Sequence, residues 1–354
     1  MILQYWWKIL SVVLLLYTFI AGMVVPLKPG ILEVRPSSGG TGELLQLQVT
    51  GYNTDYTRGA EGLRAWLKMK EDLALAAEKT EVLSERQLEL TFRIPDYLPA
   101  NQKVQDFTLI VDDAHNGASV LPSAVFITQD SVAPAKGQAL WPSDEIGRLH
   151  EKEQMTFPFR NILSETIRNT YFHVPLWLGM VLIFLGSVVF SIRYLRGFRE
   201  ADDQKAVALT TVGILYGILG LVTGAIWAKN TWGAYWSWDV KQNMTAIALL
   251  IYFAYFVLRN SFEDPERKAR LGAVYNIFAF ATLIPLIYVI PRMTDSLHPG
   301  AGGNPAFGSQ DLDNTMRMVF YPAVIGWTLF GYWMASLYYR AQQLSSKMWE
   351  RHTV

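Results

Sequence analysis

The sequence predicts a polytopic α-helical membrane protein with six transmembrane helices and an all-β sandwich domain inserted after the first. Two observations carry this prediction. Of the 354 residues, 51% are hydrophobic and mean hydropathy is +0.16, and the apolar residues gather into long uncharged runs. Between the first and second runs lies a stretch of different texture, where apolar and polar residues alternate with the period of half-buried strands.

The apolar runs cover residues 9–25, 174–192, 206–228, 242–258, 271–291 and 318–339. Crossing hydrocarbon takes about 20 residues, and the run at 242–258 is the marginal one, kept for its Leu, Ile, Tyr and Phe content. The first run (domain 1–26) follows a single cation, Lys8, and leaves through AGMVVP, a poor small-residue cleavage site, so it is read as a retained anchor. Orientation comes from the cations. Arg193, Arg196, Arg199, Lys205, Arg259, Arg267, Lys268, Arg270, Arg340, Lys347 and Arg351 join Lys8 on one side, against Lys229, Lys241, Arg292 and Arg317 on the other. The positive-inside rule then places both termini in the cytoplasm and the 229–241 loop outside; in a bacterium this means the inner membrane, with that loop in the periplasm.

Residues 27–130 form the predicted β domain. Leu45, Leu47 and Val49 alternate with Gln46, Gln48 and Thr50, and Leu88, Leu90, Phe92 and Ile94 alternate with Glu89, Thr91 and Arg93. Further strands are expected at 63–69, 107–111 and 124–128, between turn signals such as Asn116-Gly117. The size and spacing fit an immunoglobulin-like antiparallel sandwich. Residues 131–170 read as a linker, followed by an interfacial helix in which Phe159, Ile162, Leu163 and Ile167 recur at helical spacing. Residues 171–340 hold the remaining five spans, and 341–354 form a cytoplasmic tail.

Composition excludes several functions. The net charge is zero, so no large basic surface advertises nucleic acid or an acidic substrate in bulk. Cysteine is absent, which removes disulfide exchange, thiolate metal sites and covalent C-x-x-C-H heme attachment.

The chemistry concentrates around Trp227 to Asp239, WAKNTWGAYWSWD, at the outer end of two spans. Interfacial tryptophans commonly form a lipid belt, but a belt needs neither this density nor an acidic terminus. Of the five histidines, His173 opens the second span in YFHVPLW and His298 follows the fifth in TDSLHPG, both on the side of the tryptophan loop. His115 and His150 match no metal spacing and are expected at the surface. Imidazole is the usual axial ligand of heme iron, indoles cover a porphyrin face, and Lys229, Lys241, Arg292 or Arg317 could pair with the propionates. Asp239 suits an orienting hydrogen-bond acceptor better than a catalytic base. Gly213, Gly217, Gly220 and Gly224 form a small-residue stripe suited to close helix packing.

FHVP around His173, WGAYWSWD at 232–239 and SLHPG around His298 together resemble the CcmC type of tryptophan-rich (WWD) heme-handling proteins of cytochrome c biogenesis. The resemblance covers about 169–340. It implies six spans, heme b held by His173 and His298 as axial ligands, and a platform of Trp232, Gly233, Trp236, Trp238 and Asp239; Tyr235, Lys229 and Lys241 are read as further cofactor contacts beside it. It also implies delivery of heme to a periplasmic heme chaperone, alongside other cytochrome c maturation membrane components. Such delivery is ligand exchange, so the chain is read as a transfer component rather than an enzyme. Lys241 stands where the family commonly has arginine, and Pro299 where it has glutamine. The β domain departs from the family's short first external loop, and is read either as a docking module or as a spacer. Two alternatives stay open: a heme b electron carrier linked to quinone, and a non-heme membrane sensor or transporter whose β domain binds a ligand.

Overall fold

The structure, a computed structural model, describes residues 2–70, 73–141, 144–151, 154–298 and 312–352. The chain folds as two units, Pro26–Ser164 and Met1–Val25 with Glu165–Val354.

The first unit is a two-sheet sandwich. Its strands are β1 (Gly30–Arg35), β2 (Ser38–Gly40), β3 (Leu44–Tyr52), β4 (Arg64–Lys70), β5 (Leu73–Ala76), β6 (Lys79–Ser84), β7 (Gln87–Arg93), β8 (Val104–Asp112) and β9 (Ser119–Thr128). One sheet runs β1-β3-β7-β6 and the other β2-β9-β8-β4-β5, the A-B-E-D and G-F-C arrangement of an immunoglobulin-like sandwich. The alternation in β3 and β7 sets their register: Leu47 pairs with Leu90 and Val49 with Leu88, all four fully buried. A one-residue slip would turn this face to solvent. The opposite sheet supplies Leu67, Phe107, Leu109, Val125 and Ile127 to the same core.

The stretch expected as a free linker is a strap on the sandwich. A short helix α2 (Pro134–Leu140) leads into Trp141, which is buried in the sandwich core and stacks on Phe107 at 5.4 Å. Asp144 Oδ2 accepts the Ala76 N–H at 2.9 Å, and Ile146 and Leu149 pack against Trp66, Ala74 and Ile110. Single anchors at irregular spacing leave no periodicity for a sequence pattern to show. The helix expected around 159–167 is replaced by a 3-10 turn at Ser164–Tyr171, and Phe159 stacks on Tyr52 at 4.8 Å within the sandwich unit.

His150 lies at the surface as expected and is also tied to a buried carboxylate. The Asp112 side chain is fully buried at the end of β8, where it accepts the His150 backbone N–H at 2.8 Å, pairs with His150 Nδ1 at 3.0 Å and takes an Arg64 guanidinium hydrogen bond. Burial alone would raise the Asp112 pKa, but these donors outweigh it and hold the carboxyl below its ordinary value. A carboxylate lowered by folding contributes stability above its unfolded pKa of about 3.9 and loses it as pH falls through the folded value. Asp112→Asn is therefore expected to weaken the sandwich at pH 7 by roughly 1–2 kcal/mol, the Arg64 end being partly in solvent. That gap to the parent should begin to shrink below about pH 4 and close only as pH falls through the lowered folded value. Hydrogen exchange of the β8 and β9 amides across a pH series measures both effects.

The second unit holds six helices long and apolar enough to cross a membrane: α1 (Ile2–Val24), α3 (His173–Gly197), α4 (Glu200–Trp232), α5 (Val240–Asn260), α6 (Pro265–Ile284) and α7 (Asn314–His352). The protein is a multi-pass membrane protein. The α1 helix packs on α7: Ser11 Oγ donates to Gly326 O at 3.0 Å, and Leu14 and Leu15 lie over Gly326, whose missing side chain permits the approach. The glycine stripe of α4 receives side chains of α3 in order. A Cβ at Gly213 would strike Phe184, at Gly217 Met180 and also Leu249 of α5, at Gly220 Trp177, and at Gly224 the His173 ring. The chain alternates direction from helix to helix, so one end of the bundle collects the start of α3, the α4–α5 loop, the end of α6 and the start of α7. Past Ile284 the helix widens into a π turn over Pro285–Val289 and tightens into a 3-10 turn at Ile290–Arg292. Pro285 and Pro291 lack the N–H that a regular α-helix would need there.

Candidate functional site

The tryptophan loop is wired by the helices on either side of it. Gly233 ends α4 in the left-handed conformation, φ 85°, with its N–H on Lys229 O at 3.1 Å, a role glycine fills without steric cost. Lys229 extends the cap, its ammonium donating to Gly233 O at 2.8 Å and lying 5.8 Å from the Tyr235 ring centre. Gln242 gathers the loop from the first turn of α5. Its Oε1 accepts Ser237 N–H at 3.0 Å and Ser237 Oγ–H at 3.1 Å. Trp238 has φ 58°, which an L side chain rarely adopts, and its carbonyl accepts Asn243 Nδ2 at 2.8 Å. Trp238 and Tyr235 stand 79% and 61% exposed; Trp236 meets Trp238 edge to face at 6.4 Å.

Asp239 joins this loop to His298. It is the N-cap of α5, accepting Lys241 N–H at 2.9 Å, where a carboxylate also meets the positive end of the helix. The same carboxylate accepts Ser296 Oγ–H at 2.8 Å, Leu297 N–H at 2.8 Å and His298 Nδ1–H at 2.7 Å. Burial by itself raises the Asp239 pKa, but the bonds from His298, Leu297 and Ser296 overcome this and hold the carboxyl well below the ordinary value. Burial acts on His298 as well, lowering its pKa against the raising effect of Asp239. A neutral His298 donating through Nδ1 keeps a free lone pair on Nε2. Trp232 packs edge to face on the His298 ring at 4.7 Å and Trp227 lies 6.0 Å away.

His173 opens α3 beside the outer end of α4. Its Nδ1 lies 3.0 Å from Thr223 Oγ1, and its ring sits over Gly224, where a Cβ would come within 2.7 Å of Cε1. Trp177 lies edge-on at 6.1 Å. His298 and Lys241 are both in electrostatic reach of His173, and Lys241 is likewise in reach of His298, Asp239 and Arg292. The Lys241 ammonium has no hydrogen-bond or ion-pair partner among the described residues, so it is available to an anion; Lys229 is already committed to its cap.

The histidines, the tryptophans and Asp239 thus converge on one end of the bundle. Thr223, Gln242 and Asn243 take part without having been singled out, and Trp227 and Ser296 take part although the sequence names them only as members of the tryptophan stretch and the SLHPG motif. Asp239 before an apolar helical run is an N-cap signal, which would have flagged its first role; the others leave no local pattern. Pro299, which stands where the family has glutamine, lies outside the described residues. Two imidazoles with Nδ1 engaged, flanked by indoles and an uncommitted cation, suit an iron porphyrin with anionic side chains.

The family model described as CcmC, heme exporter protein C, matches residues 156–353. Heme exporter protein C of Bradyrhizobium diazoefficiens is 29% identical over 165 residues, covering 46% of this chain and 62% of that protein. Its counterpart in Paracoccus denitrificans is 29% identical over 145 residues, 41% and 60% of the two chains. The Escherichia coli K12 protein is 24% identical over 173 residues, 49% and 66%. The aligned stretch spans less than two thirds of each relative and none of the β strands falls within the family match. With more than half of the chain matched, and with the histidine and tryptophan geometry on the matched part, the protein belongs to the CcmC family, heme exporter protein C.

Proposed function

We propose that the protein binds heme b at the outer face of a bacterial inner membrane and passes it to a periplasmic heme chaperone, working with other membrane components of cytochrome c maturation. The observation that carries this is the paired engagement of Nδ1 on His173 and His298, which leaves Nε2 of each as the available donor on one side of the bundle. Heme is the cargo, and its iron takes the two imidazole nitrogens. The chain's own part is to set both tautomers, to cover the ring with Trp227, Trp232, Trp236 and Trp238, and to meet a propionate with Lys241. The exposed Trp238 and Tyr235 leave one side of the loop open to a soluble acceptor. In full-length protein purified with ample heme, a Soret band is expected, lost or shifted in both His173→Ala and His298→Ala. A parent protein without that band would reject the site.

The β domain is proposed as the docking module for the chaperone or for another maturation component. Deleting residues 30–150 is then expected to leave the Soret band in place and to cut heme transfer to the acceptor about 10-fold or more, as loss of an interface dominated by a few strong contacts would. Normal transfer by the deletion variant would make the domain a spacer.

A further inference from the structure

The two histidines are held by unlike partners. His298 Nδ1 donates to a carboxylate at 2.7 Å, and that carboxylate is fixed by Lys241 N–H, Ser296 Oγ–H and Leu297 N–H. The His298 N–H also meets Ser296 Oγ at 3.1 Å, so the loop carrying this imidazole is tied to the first turn of α5. His173 faces neutral acceptors only, the Thr223 hydroxyl 3.0 Å from Nδ1 and the Gly220 backbone carbonyl beside it. Thr223 spends its only hydroxyl proton inside its own helix, on Leu219 O at 2.9 Å with Gly220 O at 3.1 Å. Toward His173 its oxygen therefore only accepts, which fixes the Nδ1–H tautomer and leaves the Nε2 lone pair free for the iron.

A hydrogen bond from a ligating imidazole to a carboxylate is charge-assisted and raises the basicity of the other nitrogen; a hydroxyl that is already donating elsewhere does this only weakly. Resting on the function proposed above, we infer that His298 is the retained ligand and His173 the exchangeable one, with Thr223 and Gly224 as the positioning residues that set this difference. When cargo leaves, the iron–His173 bond breaks and a bond to the acceptor's donor group forms, with no change in electron count; His298 releases last. Thr223 orients the His173 ring through Nδ1. Gly224 leaves the space that the ring occupies, and any side chain there would displace it.

The test uses carbon monoxide on reduced, heme-loaded full-length protein, because carbon monoxide binds only after one histidine has left. The parent's carbon monoxide spectrum is expected to match that of His173→Ala, where His298 is the remaining ligand, and to differ from that of His298→Ala. Thr223→Val should speed carbon monoxide binding about 10-fold and raise the heme midpoint potential, Thr223→Ser should restore both, and Gly224→Val should shift the Soret band. A match of the parent to His298→Ala, or identical rates and potentials in parent and Thr223→Val, would overturn the inference while leaving heme binding intact. A parent without a Soret band would overturn both this inference and the function on which it rests.

Discussion

Asp239→Asn is expected to lower heme affinity about 10–100-fold, the range for losing the partner of a ligating histidine, while the bundle stays folded. The carboxylate accepts from four donors: Lys241 N–H, Ser296 Oγ–H, Leu297 N–H and His298 Nδ1–H. An amide has one acceptor oxygen and turns its NH2 group toward the remaining donors. If the oxygen keeps Leu297 and Ser296, the NH2 faces both the Lys241 N–H of the α5 cap and His298 Nδ1, and the imidazole relieves the clash by moving its proton to Nε2, which removes the lone pair that the iron needs. If the oxygen instead keeps His298, the Leu297 and Ser296 bonds are lost and the loop comes off α5. Either way the ligand is impaired. Asp239→Glu keeps the charge but lengthens the side chain and should recover only part of the affinity. Heme titration followed at the Soret band measures the loss, and circular dichroism of the same samples checks that the helices persist. Unchanged affinity in Asp239→Asn would remove the carboxylate from the site.

Much of this arrangement was legible before any coordinates, and the reasons differ from part to part. The spans declare themselves because a bilayer demands a long uncharged run whatever surrounds it. The strands β3 and β7 are readable because their apolar residues alternate with polar ones; burial follows that alternation through Leu45, Leu47 and Val49 and through Leu88, Leu90 and Phe92, with Thr91 also covered. The edge strands β1, β2, β5 and β6 are short or mostly exposed, and their pairing is set by neighbours distant in sequence. Trp141 was hidden for a similar reason: one buried ring in an irregular strap has no period.

The site divides in the same way. His173, His298 and the tryptophan run stand out by residue type and by position at span ends. Their supporting bonds do not, because Asp239 reaches residues 57–59 positions away and Thr223 reaches His173 across 50. Gly233 and Lys229 were expected to touch the cofactor, yet both are used by the α4 cap, a backbone need that a motif cannot distinguish from a ligand contact. The glycine stripe serves close packing as its spacing predicts, while its last member houses a histidine ring, which no spacing reveals.

At the opposite end of the bundle, Arg259→Ala is expected to destabilise the membrane unit by about 3–5 kcal/mol, the cost of leaving a buried charge without its partner. Arg259 on α5 forms a two-pronged pair with Asp203 on α4, Nη1 to Oδ1 at 2.7 Å and Nη2 to Oδ2 at 2.8 Å, and the side chains are only 9% and 11% exposed. Gly272 of α6 leaves room for the guanidinium stem. The polar groups continue inward: Ser187 Oγ meets Thr210 Oγ1 at 2.7 Å, and Asn276 Nδ2 donates to Ser187 at 2.6 Å and Ser191 at 2.9 Å, joining α3, α4 and α6. Apolar packing distinguishes helix faces poorly in lipid, whereas such bonds fix which helices meet and in what register. Removing both charges together should cost far less than removing one, because a buried ion pair recovers little beyond its own desolvation. Asp203→Leu with Arg259→Leu is therefore expected to retain most of the parent's stability, while Arg259→Ala lowers the apparent Tm in detergent by roughly 10 °C for a unit of this size. Equal losses in the single and double variants would mean that the pair itself contributes net stability, and that the helix ends depend on it for more than register.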